Sequence, residues 1–327
     1  VNDAATVAED SGASAIAVLA NDTDLDGGPL FVGAVTQPAN GTVVITGGGT
    51  GLTYAPNANY CNQPPGTTLD TFTYTLTPGG SVASVTMTVT CQNDAPAVDL
   101  DANDDQGTTG ADFAVTFTEG NGATLIEDPL DASVTDVDSA TLASLTVTIT
   151  NLFDTGSETL TTDTTGTSIV ANYATVPGAP GTGTLTLTGP DTVANFQTVL
   201  RKVRYLNNDI DPDATTARVI NFVANDGGTN SNTAVSTVTL VAVDTPPTAV
   251  ADAATVNEDS GATAVNVLAN DSDPDNGPIS ISSVTQPTNG TVVITGGGTG
   301  LTYAPNANYC NQPPGTTLDT FTYTLTP

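Results

Sequence analysis

The chain has no histidine and no tryptophan, one methionine, three cysteines, and four basic side chains against 35 acidic ones in 327 residues. Each shortage excludes something. Without histidine there is no Ser-His-Asp or Cys-His nucleophile system and no imidazole zinc site. Paired carboxylates remain available for glycoside hydrolysis, but sugar sites lean on aromatic platforms and only 5% of the residues are aromatic. The GGGTG stretch at 47–51 joins two strand patterns and opens no helix, so it reads as a turn and not as a phosphate loop. No enzyme is expected. Arg201, Lys202, Arg204 and Arg218 are the only bases, and they leave a net charge of −31. Nucleic acid and anionic membrane surfaces are therefore poor partners. No apolar run approaches the roughly 18 residues of a membrane span, so no membrane insertion is expected, and no basic n-region marks a signal peptide.

Such a charge opposes compaction unless something positive neutralises it, and bulk salt only screens exposed charges. Divalent cations are the obvious neutralisers. The chain is not disordered by composition, because 38% of it is hydrophobic, mostly Val, Ala, Leu and Ile alternating with Thr and Ser in runs such as SVASVTMTVT and TLASLTVTIT. A period of two means half-buried strands. Residues 1–78 realign on 250–327 without a gap at an offset of 249, with 64 of 78 positions identical, and 41–78 match 290–327 letter for letter. In the first copy strands are predicted at 3–7, 14–19, 30–36, 42–46, 52–54, 71–77 and 81–90, punctuated by DGG, NG, GGG, NANY and PGG turns. Seven short antiparallel strands in about 90 residues predict an immunoglobulin-like sandwich. The second copy stops before its seventh strand, as expected of a cut from a longer array or of a domain finished by another chain. The organisation read from this is a first repeat at 1–92, a longer related domain at 93–245 and a truncated second copy of the repeat at 246–327.

The middle segment has strand patterns at 113–118, 145–150, 168–173, 183–188, 219–224 and 234–242. It also holds one short helix candidate, DTVANFQTVLRKV, with Asp191 as N-cap and an apolar stripe of Val193, Phe196, Val199 and Leu200. The helix is expected to cap the sandwich, its basic patch pairing with nearby carboxylates. Cys61, in NANYCNQPPG, and Cys91, at the end of the seventh strand, would close a loop of about 30 residues, worth roughly 3–4 kcal/mol if bonded. The other reading is a buried free thiol, and no CxxC motif is present. Cys310 duplicates Cys61, and its own partner would fall at 340 by the same offset. A disulfide implies an oxidising, extracellular setting.

The acidic residues cluster. In NDTDLDGG, Asp22, Asp24 and Asp26 alternate, so along an extended segment they share a face about 6.5–7 Å apart. Each neighbouring pair then repels by roughly 2–3 kcal/mol at an effective dielectric near 20. A bare cluster is tolerable only when wet. The spacing invites an EF-hand reading, but Gly33 stands at the twelfth position, where a bidentate acid is needed, and the flanks AIAVLA and FVGAV are strands. The EF-hand is excluded, and the further oxygens that calcium requires must come from elsewhere in space.

The stretch VAEDSGASAIAVLANDTDLDGG and its copy VNEDSGATAVNVLANDSDPDNG resemble the opening of the bacterial cadherin-like and VCBS-type repeats of large secreted adhesins. The resemblance covers most of the chain, closely in the outer copies and more loosely in the middle. It implies an all-β chain of tandem immunoglobulin/cadherin-like sandwiches. It also implies Ca2+ bound where a Glu ending the first strand, a DxD after the second strand and an Asn-Asp linker meet. Carried over, the first junction takes Glu9 and Asp10, Asn93 and Asp94 from QNDAP, and Asp136 and Asp138 from TDVDS. The second takes Glu119, Asp244 from VDTPP, and Asp271, Asp273 and Asp275. Asp22, Asp24 and Asp26 face a preceding domain, with Asp3 and its copy Asp252 as helpers, so metal is expected at 271–275 more than at 22–26. VDTPP lacks the Asn, and no domain carries the family's DRE motif. NNDIDPD at 207–213 is a weaker candidate, since Asp-Pro turns need no metal, and solvated Asx turns are the alternative throughout.

The function this implies is a calcium-stiffened structural segment of an extracellular bacterial adhesin stalk or surface filament. Its partners are adjacent repeats or copies of itself, at the cell surface or beyond it. Near-exact repetition favours a spacer, because spacers duplicate without retuning a site. A sharper version has the last repeat accept a strand from another chain and polymerise. The alternative is a ligand-binding adhesin module that recognises glycan or a host cell-surface protein through the loops and basic patch of the middle domain.

Overall fold

The computed structural model describes residues 1–63, 68–106, 108–178, 180–312 and 317–326. In the first repeat the alternating patterns become β1 (Asp3–Ala8), β2 (Ser14–Ile16), β3 (Phe31–Val35), β4 (Gly41–Thr46), β5 (Gly51–Pro56), β6 (Asp70–Thr77) and β7 (Val82–Thr90). These form two sheets, ordered β1-β7-β6-β3 and β2-β5-β4. Side chains alternate inward and outward, so that Ala83, Val85, Met87 and Val89 of β7 enter a core with Tyr54, Phe72 and Tyr74. The outward Thr and Ser are not idle: Thr36 and Thr73 pair across strands through their hydroxyls at 3.1 Å.

One pairing departs from the antiparallel expectation. β1 runs parallel to β7, in register from Asp3 opposite Val85 to Ala8 opposite Thr90. First and last strands that point the same way make the chain enter at one pole and leave at the other, which is what end-to-end repetition requires. Cys61 and Cys91 are bonded, with Cα atoms 4.9 Å apart, and lock the loop before β6 to the end of β7. Cys310 is free and exposed.

The middle segment contains β8 (Ala97–Asp99), β9 (Phe113–Thr118), β10 (Thr124–Leu125), β11 (Ser133–Thr135), β12 (Thr141–Leu152), β13 (Glu158–Thr161), β14 (Val170–Val176), β15 (Gly181–Thr192), α1 (Val193–Leu200), β16 (Arg204–Asn207), β17 (Arg218–Asn225) and β18 (Ala234–Val241). A six-stranded sheet, β14-β15-β12-β17-β18-β9, faces the smaller sheets β10-β16-β13 and β11-β8 across a continuous core. β9 again runs parallel to β18. β8, β10, β11, β13 and β16 are two to four residues long, too short for a period of two to stand out in sequence. In α1, Phe196, Val199 and Leu200 are buried as the stripe predicts, but the N-cap is Thr192 and not Asp191. The Asp191 carboxylate is committed elsewhere, accepting from the Ser168 amide at 2.7 Å and from Asn195 Nδ2 at 2.7 Å.

The last segment has β19 (Thr263–Val265), β20 (Ser280–Val284), β21 (Gly290–Thr295), β22 (Gly300–Pro305) and β23 (Tyr323–Thr326), with a turn of 3-10 helix at Gly296–Gly298. Residues 252–256 spell DAATV, the same five letters that open β1, yet they form no strand. The reason is the partner: β1 is held by β7, and at the offset of 249 the counterpart of β7 falls past residue 327.

Breaking the bond between Cys61 and Cys91 by Cys91→Ala is expected to destabilise the first sandwich by about 3–4 kcal/mol, the chain-entropy value for a loop of this size. Urea unfolding without reductant measures it. Cys310→Ala, at an exposed site, is expected to stay within about 0.5 kcal/mol of the parent.

Candidate metal centres

Three of the six predicted first-junction residues converge. Glu9 sits just past the end of β1, where its amide donates to the Thr90 carbonyl at 2.9 Å and its Oε2 accepts from the Gln92 amide at 3.1 Å. Asp10 follows in a left-handed turn, φ 53°, and its Oδ1 accepts from the Asn59 amide at 2.9 Å. The linker then brings Asp94 back, so that one carboxylate oxygen each from Glu9, Asp10 and Asp94 lie within 4.8 Å of one another. Two full charges at that distance repel by roughly 3 kcal/mol at an effective dielectric near 20. Burial, followed by the charges of Asp10 and Asp138, pushes the Asp94 carboxyl above its ordinary range. Asp136 is raised too, mainly by burial, although the Ser139 amide at 2.8 Å pulls the other way. Asp94 Oδ2 and Asp136 Oδ2 are enclosed without a hydrogen-bond partner. Asn93 turns away, its Nδ2 donating to Asp226 Oδ2 at 2.7 Å and to Thr229 Oγ1 at 2.8 Å. Glu9 also lies near Cys61 and Cys91, but the disulfide occupies both sulfurs and leaves no thiolate to bind a metal.

The second junction repeats only part of this. Glu119 copies Glu9, its amide donating to the Val241 carbonyl at 3.0 Å and its Oε2 accepting from the Val243 amide at 2.8 Å. Asp275 Oδ2 accepts from the Thr245 amide across the linker. Asp273 Oδ2 and Asp275 Oδ1 are enclosed and unpartnered, but Asp244 is exposed. Among the described residues no three carboxylates of this set come within 4.8 Å. The linker runs from Asp244 through Thr245 into Pro246 and Pro247, which have no amide to donate.

The aspartates of the NDTDLDGG turn do not act as one face. Asp22 Oδ2 lies 2.7 Å from the buried Tyr74 hydroxyl, which also meets Asp3 Oδ2 at 2.9 Å and the Val18 carbonyl at 3.1 Å. Asp24 Oδ1 accepts from the Asp26 amide at 3.0 Å, an Asx turn, and Asp26 is exposed. The copy reproduces both features: Tyr323 meets Asp271 and Asp252, and Asp273 Oδ1 accepts from the Asp275 amide at 2.9 Å. Asn276 replaces Gly27 at a left-handed position, φ 57° against 76°, which Asn and Gly tolerate best.

At 207–213 a fixed cation organises the acids. Arg218 is wholly buried, with Nε on Glu158 Oε1 and Nη2 on Asp154 Oδ2 at 2.8 Å. Asn207 Nδ2 reaches the same Asp154 oxygen at 2.7 Å, and Arg218 Nη1 donates to the Asp213 carbonyl at 3.0 Å. Lys202 pairs with Asp163 at 3.0 Å. The other two bases do not find carboxylates as expected: Arg201 Nε donates to the Ala132 carbonyl at 2.6 Å and Arg204 Nη1 to that of Ala123 at 3.1 Å.

The structure also gathers acids that the sequence reading passed over. Asp101, Asp128 and Asp131 bring carboxylate oxygens within 4.8 Å of one another. The signal was present, since DLDANDD places Asp99, Asp101, Asn103 and Asp105 on alternate positions as NDTDLDGG does. Beside them Glu127 is fully buried, with Oε1 unpartnered and Oε2 accepting from the Ile126 amide at 3.1 Å.

The profile of the bacterial Ig domain family matches residues 1–91 and 244–326. The chain belongs to that family, as a bacterial cadherin-like, Ig-like tandem repeat. No curated protein matches it. Among solved structures it is similar to the protocadherin GammaB4 extracellular domain at 14% identity, covering 99% of this chain and 45% of that one with a TM-score of 0.42. It is also similar to a protocadherin gammaB7 EC3-6 cis-dimer structure at 13% identity, covering 95% and 65% with a TM-score of 0.41. A third is protocadherin gamma B7 extracellular cadherin domains 1-4, at 13% identity, 93% and 66% coverage and a TM-score of 0.34. The chain therefore spans less than two thirds of the length of each. Ig-like and cadherin-like families are generally not enzymes, and such a repeat fits an extracellular, adhesion-type segment. No helix among the described residues is long and apolar enough to cross a membrane.

Burial, against the weaker pull of the Ile126 amide and Arg204, holds the Glu127 proton up to about pH 9 from an ordinary 4.5. The folded state thus binds the proton more tightly than the unfolded one. The stability this carries is complete below pH 4.5 and is lost as pH rises to about 9. Glu127→Gln in calcium-free buffer is expected to flatten that slope and to raise the melting temperature at pH 8. Thermal unfolding of both proteins from pH 5 to 9 measures it.

Proposed function

We propose that the chain is a segment of an extracellular structural array, in which sandwiches at 1–92, 93–245 and 246–327 are joined end to end and stiffened by Ca2+. Such a segment serves as part of an adhesin stalk or a surface filament. The observation that carries the reading is the convergence of Glu9, Asp10 and Asp94, with Asp138 close enough for its charge to act on the Asp94 carboxyl. Those residues come from the end of one sandwich, the linker and the next sandwich. The donor set suits a hard cation, because every candidate ligand is an oxygen, and two of the oxygens are enclosed without partners. Bound calcium would supply positive charge where three chain segments now repel, and so would tie the linker to both neighbours. Glu9 and Asp10 hold their positions through backbone amides whether or not a cation is present. The partners are adjacent repeats or further copies of the chain, at the cell surface.

The test is small-angle scattering of the whole chain in calcium and in chelator. Chelation is expected to broaden the distribution of lengths, and Asp94→Asn to give that broadened distribution even in calcium. An unchanged length distribution on chelation would overturn calcium stiffening.

A second observation favours strand addition at the last repeat. A groove of about 770 Å3 runs between residues 252–258 and 318–323, lined by Ala253, Thr255, Val265, Phe321 and Tyr323 among others. In the first repeat the corresponding space holds β7, parallel to β1 and antiparallel to β6. A strand of β7 pattern in that register would complete the repeat whether it came from the same chain or from a second molecule, and only in the second case would the repeat polymerise. A peptide of the sequence VASVTMTVTC is expected to bind the chain and, under oxidising conditions, to form a disulfide with Cys310 as Cys91 does with Cys61. A monodisperse monomer that takes up no peptide would exclude this reading.

A further inference from the structure

We propose that β14 is an open sheet edge at which two copies of the chain join, strand to strand and antiparallel, about a two-fold axis at Tyr173. The contact rests on the reading that copies of the chain are among its partners, but it needs neither calcium nor the last repeat.

β14 is the outer strand of the six-stranded sheet and is bonded on one side only, to β15. Its ladder runs without a bulge from Val170 opposite Thr188 to Val176 opposite Thr182. Ala171, Tyr173 and Thr175 stand opposite Leu187, Leu185 and Gly183, and so share the face that looks on the core. Tyr173 packs there and its hydroxyl donates to the Glu158 carbonyl at 3.1 Å, which fixes the strand. Val170, Asn172, Ala174 and Val176 form the outer face, and the two valines are 65% and 66% exposed. Six of the seven residues of β14 are exposed. On the free side of an edge strand every second residue turns its amide and carbonyl to solvent.

Edges are ordinarily blunted by charge, proline, a bulge or a cover. In β3 a bulge between Val32 and Ala34 interrupts the register. At β4 the Gln37 side chain takes both the amide and the carbonyl of Val43 at 2.8 Å, and Gln286 does the same to Val292 in the copy. β14 has no proline, no charge and no bulge. Among the described residues no side chain hydrogen-bonds to its backbone.

A second copy of β14 is the strand that matches. Between Asp163 and Asp191 the chain carries no charged side chain, so two molecules of net charge −31 can meet here without setting carboxylates against each other. VANYATV is also nearly symmetric in chemistry. With Tyr173 on the axis, Val170 of each copy lies opposite Val176 of the other, Ala171 opposite Thr175, and Asn172 opposite Ala174. Opposed β-branched pairs on one face are what stabilises a ladder. A slip of one residue turns the outer face inward, and a slip of two breaks both valine pairs. The contact is isologous and closes at two molecules. Seven residues a side put it below the roughly 1,200 Å2 of a stable interface, so it forms and dissolves with concentration.

The test is register-specific cross-linking of the whole chain, with Val170→Cys and Val176→Cys made separately in a Cys310→Ala background. Opposed residues of an antiparallel pair have Cα atoms about 4.5–5.5 Å apart, within disulfide reach. Mixed under oxidation, the two variants are expected to cross-link several-fold faster than either does alone, equally in calcium and in chelator. Sedimentation of the parent at up to about 1 mM, in salt that brings the Debye length to about 8 Å, is expected to show a monomer–dimer equilibrium. Ala174→Lys sets two like charges about 7–8 Å apart across the axis and is expected to weaken that dimer several-fold. Strand addition at the last repeat would not respond to it, and nonspecific association of so acidic a chain would strengthen. Melting curves check that each variant is folded. A mixture that cross-links no faster than its components, or a dimer that Ala174→Lys leaves as strong, overturns the proposal. Association seen only in calcium assigns the contact to the junctions and overturns it too.

Discussion

Thirty-five carboxylates cannot be paired off against four bases, and the placement of the acids follows from that imbalance. Among the described residues Lys202 pairs with Asp163 nearer the surface, and the fold seals one cation inside, Arg218 with Glu158 and Asp154. Removing one member of such a group leaves a bare buried charge, which costs about 3–5 kcal/mol. Elsewhere backbone amides take over. Asp24, Asp136, Asp163, Asp213 and Asp273 each accept from an amide two residues on, so the turns themselves neutralise part of the charge. Single oxygens that neither device reaches remain enclosed on Asp94, Glu127, Asp136, Glu158, Asp273 and Asp275, and both oxygens on Asp131. A cation added from solution has most to gain where the chain has left those oxygens bare.

Strand formation in this molecule is as much a matter of partners as of letters. DAATV is β1 when β7 lies beside it and irregular chain when it does not. The stretch TFTYTLT belongs wholly to β6 in the first copy, but only its last four residues are paired in the second, against β20. Local sequence is identical in both comparisons, so intrinsic propensity cannot account for the difference. The ladder and the buried face supplied by the neighbour do. The same dependence explains the burial of Tyr74 and the partial exposure of Tyr323, although each hydroxyl keeps its pair of aspartates.

Long alternating runs were legible because eight or more residues of strict period two admit one reading, and β6, β7, β12 and β18 fall where the pattern puts them. The helix was legible from its stripe, but not its cap, because Asp191 and Thr192 are both good caps and only the tertiary contact with the Ser168 amide decides which is free. The parallel approach of β1 to β7 leaves no local trace at all, since register and direction belong to the pair. For the sites, the motif resemblance named residues that the fold does bring together at the first linker. It passed over Asp128 and Asp131, which no motif joins to Asp101. They meet because the Asp128 amide bonds the Leu100 carbonyl, a contact between segments about 28 positions apart that spacing along the chain does not announce.

The two linkers show why a motif alone does not bring carboxylates together. In QNDAP, Asn93 anchors to the loop of Asp226 and Thr229, and that anchor fixes the next residue, Asp94, against Glu9 and Asp10. VDTPP has an aspartate at the corresponding place but no asparagine before it. Asp244 is left exposed while Asp275 takes the Thr245 amide instead. The residue that decides convergence is therefore Asn93, whose side-chain amide is engaged with Asp226 and Thr229. Its amide side chain ties the linker to the middle segment, and the carboxylates on either side are brought together as a consequence.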